Sequence, residues 1–246
     1  MDKMLYIAMS SLKQNMRAQA INANNLSNLS TSGFRADLLT YQDAQVHGAG
    51  YSSRTYSVTD GNGIDFTQGT IVKTSNELDM AIRGDGLYAV QAADGREGYT
   101  RSGTLQITPS GQLLTRAGHP VIGNGGPITV PPADKISIGD DGTISIIPQG
   151  QSVASLAVID RIKLVKPANN AVVKGSNGLF YMKDKSNAVA DASVTVAAGH
   201  IETSNVNVVE AMANMIDLSR NFEMQRKLMK KAEDMDGMST KLLSLS

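Results

Sequence analysis

Apolar residues near both ends of the chain recur with a helical period. Leu5, Met9, Leu12, Met16, Ala23 and Leu26 are spaced 4, 3, 4, 7 and 3, a heptad-like stripe whose gap holds polar Gln19. Residues 1–32 contain neither Gly nor Pro, so the spacing predicts a helix here, with Gly33 as its C-cap. Residues 206–236 repeat the pattern, again without Gly or Pro. Val208, Met212, Met215, Phe222 and Met229 keep the seam, Ser219 and Arg226 interrupt it, and Ile216 and Leu218 widen it. Gly237 is expected to interrupt this second helix, and Leu242, Leu243 and Leu245 close the chain.

From Glu77 onward the period changes to alternation. Leu78, Met80 and Ile82 alternate with Asp79, Ala81 and Arg83. Further short runs cover 87–90, 105–108, 128–130, 136–138, 143–147, 153–165, 179–182 and 193–197. Asp85-Gly86, Asp94-Gly95, Ser110-Gly111 and Asp141-Gly142 lie between them as turn dipeptides that tolerate positive φ. Many short strands at this spacing predict an all-β sandwich or barrel of about 120 residues. Residues 36–76, rich in Ser, Thr, Gly and Gln, are expected to form an extended connector. The domain plan is therefore an N-terminal helix in 1–35, a connector in 36–76, a β domain in 77–200 and a C-terminal helix in 201–246.

Composition sharpens this division. All 7 prolines lie between Pro109 and Pro167, whereas ten of the 12 methionines lie in 1–16 and 212–238. Lys plus Arg equals Asp plus Glu at 23 each, which argues against a protein that binds nucleic acid or a membrane surface through excess positive charge. The absence of cysteine excludes disulfides, thiolate metal sites and cysteine nucleophiles. The start of the chain, interrupted by Lys13 and Arg17, lacks the continuous apolar stretch of a signal peptide. No run of apolar residues is long enough for a membrane span.

Candidate chemistry is thin. His47, His119 and His200 are dispersed and form no ligand pair. Gly123-Asn124-Gly125-Gly126 lacks the Lys-Ser/Thr of a phosphate loop, and Asp140-Asp141-Gly142 lacks the alternate ligands of a calcium loop. No Gly-x-Ser-x-Gly elbow occurs. The expectation is a protein that is not an enzyme, with no catalytic, cofactor or metal residues.

The helices carry the remaining signal. Neither stripe can be buried by its own helix, and periodicity does not decide between packing on the central domain and pairing as a coiled coil that joins subunits. Methionine-rich seams adapt to several partners. Leu12, Met16, Leu26, Met212, Ile216 and Phe222 are the expected helix contacts. Asparagines crowd the first helix at Asn15, Asn22, Asn24, Asn25 and Asn28, either as a solvated face and fraying end or as cross-helix amide bonds, and Asn24, Asn25 and Asn28 are the candidates for setting register.

Residues 23–37, ANNLSNLSTSGFRAD, resemble the N-terminal signature of the rod and hook proteins that build the axis of the bacterial flagellum. Asn24, Asn25, Leu26, Asn28, Gly33 and Phe34 match; Ser27 and Arg35 stand where Ala and Lys are common. Residues 201–224 resemble the C-terminal signature, carried by Glu202, Ser204, Asn205, Val206, Met215, Ile216, Arg220, Phe222 and Glu223. Residues 77–123 are similar to the family's β module, with Leu87-Tyr88 where two Phe are common. The short length argues against a hook protein. The segment 161–182 is most similar to a proximal rod member, with a distal rod member as the alternative.

The resemblance implies an α+β fold whose terminal helices pair as a coiled coil around a central all-β domain and an extended connector. It implies a structural subunit of the periplasmic rod, the shaft that transmits torque from motor to hook. Implied partners are copies of itself, other proximal and distal rod subunits, and the flagellar type III export apparatus, without a cleaved signal, nucleic acid or membrane insertion. From another class, a secreted coiled-coil protein whose β domain binds a ligand would share the pattern of helices and strands.

Overall fold

The computed structural model describes residues 2–45, 55–150 and 156–244. His47, the start of the run 153–165 and Leu245 lie outside the described residues. Two long helices flank a β-rich centre: α1 spans Asp2–Ser27 and α2 spans Val208–Ser244. The chain divides into two compact units. Residues 1–29, 36–65 and 206–246 form a helical unit, and residues 30–35 and 66–205 form a β unit.

Helix α1 stops well short of Gly33. Ser27 Oγ donates to the Ala23 carbonyl at 2.8 Å and Asn28 Nδ2 to the Asn24 carbonyl at 3.0 Å, so polar side chains take up the last carbonyls. Gly33 is therefore not its C-cap. Helix α2 is preceded by Asn207, whose Oδ1 accepts the Val209 and Glu210 amides at 3.0 and 3.3 Å as an N-cap does. Gly237 does not break α2, which continues to Ser244. One exposed glycine costs a helix only about 1 kcal/mol, too little to end one with good helix formers on both sides.

Within the helical unit, α1 and α2 run antiparallel. Asn22 Nδ2 donates to the Ala211 carbonyl at 2.7 Å and Gln225 Nε2 to Ser11 Oγ at 2.8 Å, so rising numbers on α1 meet falling numbers on α2. The same unit contains an antiparallel pair, Asp37–Gln45 with Thr55–Ile64, which runs from Asp37↔Ile64 to Gln45↔Thr55 with a bulge at Leu39/Tyr41. The expected connector thus carries paired strands. Its Ser, Thr and Gly content reads as linker, but Thr40, Tyr41, Tyr56, Val58 and Thr59 are strand formers.

The β unit holds its strands in several short sheets. Five strands pair antiparallel in the order Leu164–Val165, Leu87–Gln91, Glu97–Thr100, Phe180–Met182, Val172–Lys174. Three more follow the order Ala157–Arg161, Thr143–Pro148, Ala133–Ile138. Two-stranded pairs join Met80–Arg83 to Thr195–Ala198, Ile71–Lys73 to His200–Glu202, and Leu105–Ile107 to Leu113–Thr115. The expected sandwich or barrel is instead a patchwork, because most strands are only a few residues long before the next turn. A core built from Met80, Ile82, Tyr88, Val121, Ile144 and Val196 among others closes it, beside a smaller cluster of Val90, Ala92 and Leu179.

Candidate functional site

Two places draw together the residues singled out in the sequence. The first is a junction inside the β unit. The strand His200–Glu202 carries Glu202 into the interior, where it is 2 % exposed. Arg35 Nη2 lies 2.6 Å from Glu202 Oε1, and Arg101 Nε lies 2.6 Å from Oε2. The Gly69 amide donates to Oε1 at 3.0 Å. Arg101 is held further by the carbonyls of Gly86 at 2.7 Å, Ile82 at 3.0 Å and Gly84 at 2.6 Å. Gln68 Nε2 also donates to the Gly84 carbonyl. Charge-assisted hydrogen bonds of this kind are short and directional, which suits a contact that must fix geometry. Burial also pushes the ionisation of nearby Tyr88 well up, and its hydroxyl donates to the Met80 carbonyl at 3.0 Å.

Backbone contacts complete the junction. The Gly33 amide donates to the Glu202 carbonyl at 2.8 Å, and the Asn205 amide to the Phe34 carbonyl at 3.3 Å. Lys174 Nζ sits 4.0 Å from the Phe34 ring centroid and donates to the Arg35 carbonyl at 2.9 Å. Thr203 and Thr70 bond through the Thr203 amide at 2.9 Å and the Thr70 amide at 3.1 Å. Gly33, Phe34, Arg35, Glu202 and Asn205 of the two signatures therefore converge. Ser204 is half-buried, Val206 begins the helical unit, and Arg220 and Glu223 are exposed on α2. No local spacing announces Arg101, which lies 101 residues from Glu202.

The second place is the helix surface. Met16, Met212 and Ile216 are 56 %, 52 % and 53 % exposed, whereas Leu12, Leu26 and Phe222 are half-buried. Asn24 is exposed, and Asn28 turns back on its own helix. Asn25 ties the end of α1 to the first strand: its Nδ2 donates to the Asp37 carbonyl and its Oδ1 accepts the Asp37 amide, both at 2.9 Å. Among the described residues, hydrogen bonds between α1 and α2 join Asn22 to Ala211 and Gln225 to Ser11, and Asn15 is buried at 7 % exposure. Positions 11, 15 and 22 are spaced 4 and 7, and 211 and 225 are two heptads apart. Asn15 and Asn22 belong to the asparagine run of the first helix, whereas Ser11, Ala211 and Gln225 carry no mark in the sequence.

The remaining candidates serve turns. The Asp160 carboxylate accepts the amides of Asn124 at 3.3 Å and Gly125 at 3.4 Å, so the glycine-rich loop wraps a side chain of its own chain. Asp141 accepts the Thr143 hydroxyl at 2.7 Å and amide at 3.1 Å, which holds its carboxyl below the usual range. His200 Nδ1 lies 2.8 Å from the Ala198 carbonyl. Among the described residues no helix is long and apolar enough to cross a membrane.

Comparison with known proteins agrees with this arrangement. Three family profiles match in order: "Flagella basal body rod protein" over residues 5–35, "Flagellar hook protein FlgE/F/G D1 domain" over 81–146, and "Flagellar basal body rod FlgEFG protein C-terminal" over 197–242. The chain is 44 % identical over 252 residues to the flagellar basal-body rod protein FlgF of Salmonella typhimurium, and 43 % identical to that of Escherichia coli, with 100 % of each chain covered. It is 31 % identical over 250 residues to the rod protein FlgG of Buchnera aphidicola, covering 91 % of this chain and 94 % of that protein. The chain belongs to the flagellar basal-body rod protein family. Its role is structural, not enzymatic.

Proposed function

We infer that this chain is a structural subunit of the proximal flagellar rod, assembled into the axial shaft through its two terminal helices. The 44 % identity to a FlgF over full length, against 31 % to a FlgG, favours the proximal over the distal position. The helices pair as a coiled coil and continue that pairing with copies of the same chain and with neighbouring proximal and distal rod subunits. Subunits reach the periplasmic shaft through the flagellar type III apparatus, the export route of this family. Head-to-tail contacts of one surface with a different surface propagate an open helical array rather than a closed ring.

One observation carries this reading. Helix α2, although it meets α1, still exposes Val209, Met212, Ile216, Met224, Leu228 and Met238 at half or more of their surface. A row of large apolar side chains along one long helix has no use in an isolated chain, and burying it against neighbours yields about 25 cal/mol per Å² before ordering costs. Methionine suits a seam that meets non-identical neighbours, because its unbranched side chain repacks readily.

Replacing Ile216 with Asp tests this directly, since Ile216 is 53 % exposed and the isolated chain loses little by the change. The purified Ile216→Asp chain is expected to keep the wild-type circular dichroism spectrum. In a strain lacking its own copy it is expected to be absent from isolated basal bodies and to leave cells non-motile. Normal swimming with the variant present in the rod would refute the assignment of this face.

A further inference from the structure

The chain passes between its two units four times, after residues 29, 35, 65 and 205. In the β unit these passages are three segments: 30–35, the entry beginning at Phe66, and the exit ending at Asn205. All three meet at one carboxylate. Glu202 stands three residues before the exit, holds Arg35 of the first segment at 2.6 Å, and accepts the amide of Gly69, four residues past the last residue of the helical unit, at 3.0 Å. Its second oxygen fastens all of them to Arg101, which belongs to the body of the β unit and is anchored by three of its carbonyls.

We propose that the buried Arg35–Glu202–Arg101 cluster is the torque-carrying knot of the β unit, binding the three chain segments by which that unit is entered and left into one attachment when torque passes along the rod. Each passage taken singly is a strip of backbone with free rotation about φ and ψ. Clamped to a shared carboxylate, the three become one attachment. Two guanidiniums on one carboxylate suit the task better than an apolar contact. Their bonds are directional, and sliding by one residue would leave buried charges unpaired. Glycines let the strips come close enough: a Cβ on Gly69 would lie 2.0 Å from the Thr203 carbonyl oxygen, and one on Gly33 would lie 2.4 Å from that of Arg101. Glu202 is thus a positioning residue, acting through the segments it ties.

The proposal rests on the rod reading only for its mechanical consequence, so the experiment has two arms on the full chain. Hydrogen exchange on purified Glu202→Gln is expected to show the Gly33, Gly69, Thr70 and Thr203 amides exchanging at least about tenfold faster. The Met80, Val121 and Ile128 amides of the core should stay protected. A purely stabilising role for Glu202 predicts instead that core and passage amides speed up together, and that result, or unchanged passage amides, overturns the joint. In the second arm, cells carrying Glu202→Gln or Arg35→Gln swim in media of rising viscosity. The ratio of variant to wild-type speed is expected to fall with load. Arg35→Gln leaves the Arg101–Glu202 pair in place and so guards against a variant that fails to fold. Speed ratios independent of viscosity for both variants overturn the mechanical claim. The exchange arm needs no rod, so its outcome separates a failed joint from a failed rod assignment.

Discussion

Gly33 offers a sharp test of how tightly the junction is built, because two different costs of replacing it can be separated. Its φ of +67° lies in the left-handed region, where a Cβ costs roughly 1–2 kcal/mol. A Cβ built there would also lie 2.4 Å from the carbonyl carbon and oxygen of Arg101 and 2.6 Å from the Ser102 nitrogen. Those atoms are backbone, and the Arg101 side chain is pinned by Glu202 and three carbonyls, so the segment has little room to retreat. Forcing an extra carbon into a well-packed site costs about 1–3 kcal/mol more. Gly118 supplies the control: its φ is +85°, yet a Cβ there meets nothing within 4 Å.

Gly118→Ala is therefore expected to cost about 1–2 kcal/mol and Gly33→Ala about 2–5 kcal/mol. The chain divides into two compact units, so the measurement must report the β unit alone. Hydrogen exchange at the Met80 and Val121 amides across a urea series does so. Equal losses for the two variants would refute the claim that close approach, and not backbone conformation, fixes glycine at position 33. A smaller loss at Gly33 would refute the junction geometry as well.

Two further outcomes follow from the same structure. Asn15 Oδ1 is buried without a hydrogen-bond partner among the described residues, so Asn15→Leu should stabilise the helix pair by about 1–2 kcal/mol, read as a higher melting temperature at 222 nm; a lower one would show that the amide is satisfied. Asp141 is held below the ordinary carboxylate range by Thr143, so its contribution is present above about pH 4 and lost as pH falls through the lowered value. Because the group is exposed, Asp141→Asn should flatten the acid limb of the urea midpoint by about 0.5 kcal/mol or less, and an unchanged limb would remove the turn from the account.

How much of this was legible in the sequence depended on how local the cause was. The two helices were, because the absence of Gly and Pro and a heptad stripe are properties of contiguous residues. So were the turns: Gly86, Gly95, Gly111 and Gly142 all have the positive φ that their dipeptides suggest. The strands of 37–45 and 55–64 were not, since Ser, Thr and Gly serve linkers and edge strands alike, and only pairing distinguishes them. The junction was legible only in fragments. Resemblance to the rod family marks Arg35 and Glu202 separately, but nothing in either motif says that they touch, and within the resembling β module only Leu87 and Tyr88 are singled out, not Arg101.

Apolar and polar contacts divide the work of this chain in a way that explains what each reading could find. On the face proposed to meet neighbouring subunits, the chain exposes Met212, Ile216, Met224 and Leu228, side chains whose attraction has no preferred direction. The heptad pattern picks out Met212 and Ile216 but passes over Met224 and Leu228. Where the chain must take one path and no other, the contacts are directional: Asn25 on both polar groups of Asp37, Asn22 on the Ala211 carbonyl, Glu202 between two guanidiniums. Such contacts lose their energy within a few tenths of an ångström or a few tens of degrees, so they specify geometry at little gain in net stability. They are also invisible to any count of hydrophobic positions, because each depends on a single polar residue whose partner is fixed by the fold. The proposed assembly calls for both kinds, an adaptable seam to join the shaft and rigid corners to transmit its rotation.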